Sequence, residues 1–200
     1  MIKKWALIKI LLLITLFSQD VFSADIGPQQ LIKQATDRVL SEIKLNSDDY
    51  RANPDKLTAL VEEVVLPYFN FVAMTNLALY RHRNEFNDEQ KARVVNEFKT
   101  LLIRTYSMAL LEYNNQAVNF LDMLGSVEKG KVKVKTEVTQ AGGAAIPLDY
   151  SLRRGKEGWQ VYDIQVDGIS LVTNYRSSFD REINKNGVEG LIKLLSDRNQ

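Results

Sequence analysis

The first half of the chain carries apolar residues at spacings of three and four, the pattern of an amphipathic helix. Ile32, Ala35, Val39 and Ile43 follow this spacing. Pro28 precedes them, and proline suits the first position of a helix because its missing N–H would be unpaired there anyway. The sequence therefore predicts a long amphipathic helix that begins near Pro28.

Two more helices are predicted before the middle of the chain. Pro54 opens one of them, and Pro67 ends it, because proline disfavours the helical conformation of the residue before it. Asn87 and Gln90 form a capping-box pattern that opens the longest element, residues 88–113. At 1.5 Å per residue this helix would be about 39 Å long, enough to back a whole sheet.

The apolar period then changes from about 3.6 to 2, which is typical of β-strands. Residues 131–138, 146–152 and 159–166 alternate in this way, with glycine-containing turns between them. Helical spacing returns from Val172 onward. The predicted order is helices, then an antiparallel meander, then further helices. This order indicates one α+β domain.

The N-terminal residues have the layout of a secretory signal peptide, with basic residues, a short apolar run and a small-residue cleavage region. The apolar run, residues 10–17, is far shorter than the roughly 18 residues that span a bilayer. We expect cleavage after Ser23, with Ala24 as the alternative. Residues 1–23 are then the signal peptide, and residues 24–200 form a single domain in the periplasm.

Composition excludes several classes of protein. Without the leader, 23 basic and 24 acidic residues remain, a balance that does not favour a nucleic-acid partner. Hydrophobic residues at 45% and charged residues at 26% exclude a disordered chain. The sequence has no cysteine, so disulfide scaffolds, thiol nucleophiles and cysteine-based zinc sites are excluded as well.

Few titratable residues could form a catalytic site. His82 is the only histidine, and nothing near it supplies a second metal ligand. Ser170 follows the first glycine of a nucleophile-elbow pattern whose second glycine is missing, and it suits the N-cap of a helix. Asp163 and Asp167 resemble a carboxylate pair but suit the end of a strand. We expect no catalytic residue; a small hydrolase using Ser170 or these aspartates is kept as an alternative.

Two stretches, residues 101–110 and 159–176, resemble the MlaC family. Its members are the periplasmic phospholipid-binding proteins of the Gram-negative lipid-asymmetry system, and the family is also known for toluene tolerance. The resemblance extends over nearly all of the mature chain. One departure lies before the long helix, where the family usually has glycine and tryptophan and this chain has Tyr80 and Arg83.

The resemblance implies an NTF2-like α+β fold, in which a curved antiparallel sheet is covered by helices and an apolar pocket between them holds phospholipid acyl chains. It also implies a carrier, not an enzyme, with phospholipid as cargo and no metal or other cofactor. The carrier would shuttle lipid between an outer-membrane lipoprotein–porin complex and an inner-membrane ABC transporter complex with an MCE-domain protein, and so maintain outer-membrane lipid asymmetry. A protein-binding adaptor with a solid core is the other alternative.

The pocket is expected to be lined by the long helix, by one face of the sheet and by the turn that follows it. An error of one residue in the phase of a strand would invert its assignments. The expected phospholipid-binding residues are Tyr106, Leu110, Val134, Ile146, Leu148, Tyr150, Tyr162, Ile164, Val166 and Leu171. Phe69, Phe71 and Tyr175 are expected near the mouth.

Overall fold

The computed structural model describes residues 26–113, 115–140 and 142–200. The predicted signal peptide and its cleavage site lie outside the described residues. Within these ranges, none of the helices combines the length and the apolar character that crossing a membrane requires.

The described residues form six α-helices. They are α1 (Pro28–Ala52), α2 (Pro54–Val64), α3 (Phe71–Leu79), α4 (Asp88–Tyr106), α5 (Leu171–Asn174) and α6 (Arg176–Asn199). Short 3-10 helices occupy Leu66–Tyr68, Tyr80–Asn84 and Ser107–Glu112. Asn87 and Gln90 form the capping box before α4, since each side chain accepts a hydrogen bond from the other's backbone N–H, at 2.9 and 3.0 Å.

The long helix is shorter than predicted. It ends at Tyr106, and the chain continues as the 3-10 helix Ser107–Glu112 instead of as α-helix to Tyr113. The Ser107 hydroxyl donates a hydrogen bond to the carbonyl oxygen of Ile103 at 2.6 Å, a local bond that favours bending of a helix.

The strands form one antiparallel sheet whose ends are not joined. They are β1 (Val118–Phe120), β2 (Leu124–Ser126), β3 (Lys131–Gln140), β4 (Gly143–Gly155), β5 (Gly158–Val166) and β6 (Ile169–Ser170). The order is β1-β3-β4-β5-β6, and β2 pairs with β3 beside β1. The predicted α+β class, with helices packed on an antiparallel sheet, is confirmed.

Buried side chains of the described residues form three clusters. One joins α3, α4 and α6 around Phe98 and Phe179. A second joins the start of α1 to the sheet around Val134 and Trp159. A third joins α1, α2 and the 3-10 helix Ser107–Glu112, with Ile43 at its centre. Apolar residues at the borders of all three clusters surround the candidate site.

Candidate functional site

A cavity of about 520 Å³ lies between the sheet and the helices. This volume falls within the range of small-molecule binding sites, roughly 300–1,000 Å³. Side chains from α1, α2, α3, α4, the 3-10 helix Ser107–Glu112 and strands β1, β3, β4 and β5 line it. The cavity is thus enclosed by both layers of the fold.

The helical wall is built from the apolar stripes that the sequence shows. Residues three and four apart on α1 share one face, which here turns towards the cavity. The α1 lining consists of Ile32, Ala35, Thr36, Val39 and Leu40. The next segments along the chain add Val61, Val65, Leu66, Tyr68, Phe69, Phe71 and Met74. The end of α4 and the 3-10 helix after it add Leu102, Ile103, Tyr106, Ser107, Ala109 and Leu110.

The sheet wall follows from strand register. Val138 of β3 pairs with Ile146 of β4, and Tyr150 of β4 pairs with Ile164 of β5. Because side chains alternate between the two faces of a strand, Leu148 projects from the same face as Ile146 and Tyr150. All five side chains line the cavity. Regular alternation along β4 therefore provides the floor of the site.

One end of the cavity is polar and open to solvent. Ala109, Glu112 and Gln140 are the lining residues that are exposed. Gln116 and Thr139 add polar atoms at this end, and Glu112 is the one charged residue among the described lining residues. The site therefore has an apolar interior and a polar mouth.

Two of the four tyrosines among the described lining residues, Tyr106 and Tyr150, have raised pKa values and bring no charge into the cavity. Removal from water raises the pKa of Tyr150 to about 12, and a hydrogen bond with the Thr36 side chain opposes that rise. Removal from water also raises the pKa of Tyr106 to about 12, and the neighbouring Tyr175 hydroxyl adds to the effect. Both hydroxyls are protonated and neutral near pH 7 because their pKa values lie far above it. Apart from Glu112 at the mouth, the described lining is uncharged.

Seven of the ten residues expected in the site line the cavity. They are Tyr106, Leu110, Ile146, Leu148, Tyr150, Ile164 and Leu171. Phe69 and Phe71, expected near the mouth, also line it. Tyr175 lies beside the lining instead and packs edge-on against Phe98, with ring centroids 5.2 Å apart.

Three expected residues, Val134, Tyr162 and Val166, lie outside the cavity lining. Val134 is on the expected face, but it is fully buried in the cluster between α1 and the sheet. Tyr162 falls at a β-bulge, where the register shifts so that Val161 pairs with Leu152 and Tyr162 has no partner. Val166 pairs with Leu148 at the end of β5, beyond the lined region.

The sequence did not predict that residues of α1 and α2 line the cavity. The apolar stripe of Ile32, Ala35 and Val39 does indicate a buried helix face. A stripe marks the buried face of a helix but does not tell whether that face meets packed side chains or an open cavity. The missed residues are therefore those whose role depends on tertiary placement.

The candidate catalytic groups have structural partners. Ser170 is the N-cap of α5, where its hydroxyl donates to Asp163 at 2.8 Å and accepts from the Thr173 N–H at 2.9 Å. His82 lies between Glu85 and Asp180, at 2.7 and 2.8 Å. In the part of the chain that the structure describes, no group of three or more histidines, cysteines, aspartates or glutamates could hold a metal ion.

The fold is an α+β domain with an open antiparallel sheet, and its described cavity lining is apolar and almost uncharged. These features are typical of proteins that bind apolar ligands. The family model for the MlaC protein matches residues 33–197 of the chain. The chain belongs to the MlaC family, as the sequence resemblance predicted.

Characterised relatives agree with this assignment. The chain is 26% identical over 197 residues to the intermembrane phospholipid transport system binding protein MlaC of Haemophilus influenzae, covering 97% of this chain and 92% of that protein. It is 26% identical over 161 residues to the toluene tolerance protein ttg2D of Pseudomonas putida, covering 80% and 74%. A phospholipid-binding protein from Ralstonia solanacearum, solved in complex with a phospholipid, matches with a TM-score of 0.79 and 34% identity, covering 88% of this chain and 97% of that one.

Proposed function

We propose that this protein is a periplasmic phospholipid carrier and that its cavity holds the acyl chains of the lipid. The observation that carries the proposal is the apolar cavity of about 520 Å³, in a chain that is similar to a protein solved with a bound phospholipid. The mature carrier consists of residues 24–200. It catalyses no reaction, and phospholipid is its cargo.

The energetics of lipid transfer explain why an apolar cavity suffices. Burying one methylene group is worth about 0.8 kcal/mol, so a lipid with roughly 30 methylenes loses on the order of 24 kcal/mol on entering water unprotected. A carrier must offer an interior nearly as apolar as the bilayer. The described lining meets this need, since its single charged side chain, Glu112, lies at the mouth.

The polar mouth suits the other half of the ligand. A phospholipid head group keeps its hydration when it remains at the surface, because burying an unpaired charge is costly. Glu112 and Gln140 are exposed where the cavity opens, so the head group lies beside them while the acyl chains extend towards Tyr150 and Met74.

In the proposed cycle the carrier moves phospholipid between the two membranes of the envelope and so maintains outer-membrane lipid asymmetry. Its partners are an outer-membrane lipoprotein–porin complex and an inner-membrane ABC transporter complex with an MCE-domain protein. Docking controls exchange, because a partner that binds the loaded and empty forms with different affinity shifts the balance between them. The name of the Haemophilus relative, an intermembrane phospholipid transport system binding protein, supports this role.

The decisive experiment is native mass spectrometry of the mature protein, purified from the periplasm without detergent. We expect a mass increment that solvent extraction identifies as intact phospholipid. A clean ligand-free mass after gentle purification would contradict the carrier proposal and favour a protein-binding adaptor. An extract of hydrolysed lipid would favour an enzyme instead.

A pair of variants tests the site itself. Leu148 lines the cavity, and its cross-strand partner Val166 does not. Leu148→Trp should fill the cavity and lower phospholipid occupancy, whereas the matched control Val166→Trp should load like the wild type. Circular dichroism establishes that both variants fold. Equal occupancy in the two folded variants would contradict the proposed position of the acyl chains.

A further inference from the structure

A second concavity, of about 310 Å³, lies between α3 and α4 and is bordered by the 3-10 helix Tyr80–Asn84. Helix α3 forms a wall of both sites. Its residues Phe71 and Met74 line the apolar cavity, while Val72, Thr75 and Asn76 line this groove. The two linings have no residue in common among the described residues, so the groove is separate from the apolar cavity.

The chemistry of the groove differs from that of the apolar cavity. Arg83 and Lys91 bring two positive charges to its lining, and no acidic residue is among the described residues that line it. Asn76 and Asn84 add amide groups. The carboxylate nearest to these cations in the described ion pairs is that of Asp88, 4.0 Å from Lys91 and fully exposed.

The hydroxyl of Thr75 is the second observation that points to a ligand. Thr75 is 1% exposed and lines the groove, and its oxygen has no hydrogen-bond partner among the described residues. Buried side-chain hydroxyls in folded proteins are nearly always paired. This oxygen is shielded from solvent in the free protein, and a ligand acceptor that reaches it would complete its hydrogen bonding.

We infer that the α3–α4 groove binds a small phosphate-bearing anion. The Arg83 guanidinium presents a planar set of donors that matches phosphate oxygens, and Lys91 adds a second positive charge. Two cations without an acidic neighbour in the lining favour a doubly charged phosphate over a carboxylate. The Thr75 hydroxyl donates the remaining hydrogen bond.

The test is an NMR titration of the ¹⁵N-labelled mature protein with inorganic phosphate at low ionic strength, with sodium chloride at matched ionic strength as the reference. We expect saturable shifts of the amide signals of Thr75, Asn76 and Asn84. A parallel titration with glycerol 3-phosphate distinguishes a free phosphate from a lipid head group as the natural source. Saturable binding of either probe supports the site, and saturation by neither overturns it.

Two arginine variants distinguish phosphate binding in the groove from general attraction of phosphate to positive charge. Arg83→Ala should weaken binding about tenfold, the effect of losing one charge-assisted contact. Arg153→Ala is the matched control, since Arg153 is an exposed arginine of the sheet outside the groove. Equal weakening by the two variants would overturn the proposal. The Leu148→Trp variant should bind phosphate like the wild type, so failure of the carrier proposal and failure of this one can be distinguished.

Thr75→Val tests the hydroxyl itself. Valine has the shape of threonine without the oxygen, so phosphate binding should weaken several-fold. If the hydroxyl lacks a partner in the free protein, this variant should unfold at the same or a higher urea concentration than the wild type. A marked loss of stability with unchanged phosphate binding would show a purely structural role and overturn the assignment of Thr75.

Discussion

The Ser170 hydroxyl donates a hydrogen bond to the Asp163 carboxylate at 2.8 Å and so joins the start of α5 to strand β5. The same hydroxyl accepts from the Thr173 N–H, while Asp163 also accepts from the Val172 N–H at 3.4 Å. Two polar side chains thus fix the first turn of the helix against the sheet. Each bond satisfies a group that is buried or lies at a helix terminus, so both side chains contribute to stability.

Ser170→Ala should therefore destabilise the protein without affecting lipid loading. The variant loses an N-cap and leaves Asp163 without one of its donors, which together cost about 1–2 kcal/mol in free energy of unfolding. Urea unfolding measures the loss, and native mass spectrometry measures the loading. Ser170→Thr keeps the hydroxyl and should restore most of the stability. Loss of loading in a folded Ser170→Ala variant would contradict this structural role.

Asp163 also gives the stability a predictable dependence on pH. Burial raises the pKa of the Asp163 carboxyl, although the hydrogen bond from Ser170 opposes the rise. Between the ordinary aspartate value, about 3.9, and the higher folded value, the native state holds a proton that the unfolded chain has released. The contribution of Asp163 to the free energy of unfolding therefore falls as pH rises through this window and is constant above it.

Asp163→Asn isolates this effect because it removes the titration and keeps an acceptor for Ser170. The free energy of unfolding of the wild type minus that of Asp163→Asn should decrease from about pH 4 upward and then level off. Asp49, Asp180 and Glu189 have lowered pKa values and act in the opposite direction, but they are common to both proteins and cancel in the difference. A difference that is flat or rises with pH would contradict the prediction.

Local signals in the sequence were sufficient to place most of the elements. The capping box at Asn87 and Gln90 and the proline at the start of α2 act within a few residues, so they are visible without knowledge of the fold. Alternation along β4 likewise places Ile146, Leu148 and Tyr150 on one face, and all three line the cavity. These features depend only on near neighbours in the chain.

The remaining features depend on contacts between distant residues. The bulge that shifts β5 against β4 breaks the alternation at Tyr162, and no turn residue marks it in the sequence. Val134 and Val138 share a face of β3, yet one packs under α1 and the other lines the cavity. The position of the helix decides which end of the strand meets packed side chains. Periodicity alone does not indicate that position.

Val134 and Val138 allow a matched test of that division. Val134 is fully buried among packed side chains, so Val134→Ala should cost about 2 kcal/mol in free energy of unfolding. Val138→Ala should cost less than about 1 kcal/mol, because Val138 already adjoins open space. Urea unfolding of the ligand-free proteins measures both. Equal losses would show that Val138 is packed as tightly as Val134.

Tyr80 occupies a backbone conformation that favours glycine. Its φ of 51° and ψ of −108° place it in a region that costs non-glycine residues about 1–3 kcal/mol. The Arg176 guanidinium lies 4.6 Å from the centre of the Tyr80 ring, and it also donates to the Leu77 carbonyl oxygen at 3.0 Å. This stacking is worth about 0.5–1 kcal/mol at an exposed site, so it offsets only part of the strain.

Two substitutions at this position separate strain from stacking. Tyr80→Gly and Tyr80→Ala both lose the contact with Arg176, but only glycine adopts the backbone conformation freely. Tyr80→Gly should therefore be more stable than Tyr80→Ala by about 1 kcal/mol, the reverse of their order in an ordinary helix. Urea unfolding of the two variants measures the difference directly. If alanine is as stable as glycine here, the backbone relaxes on substitution and the wild-type conformation is maintained by the ring contact with Arg176 alone.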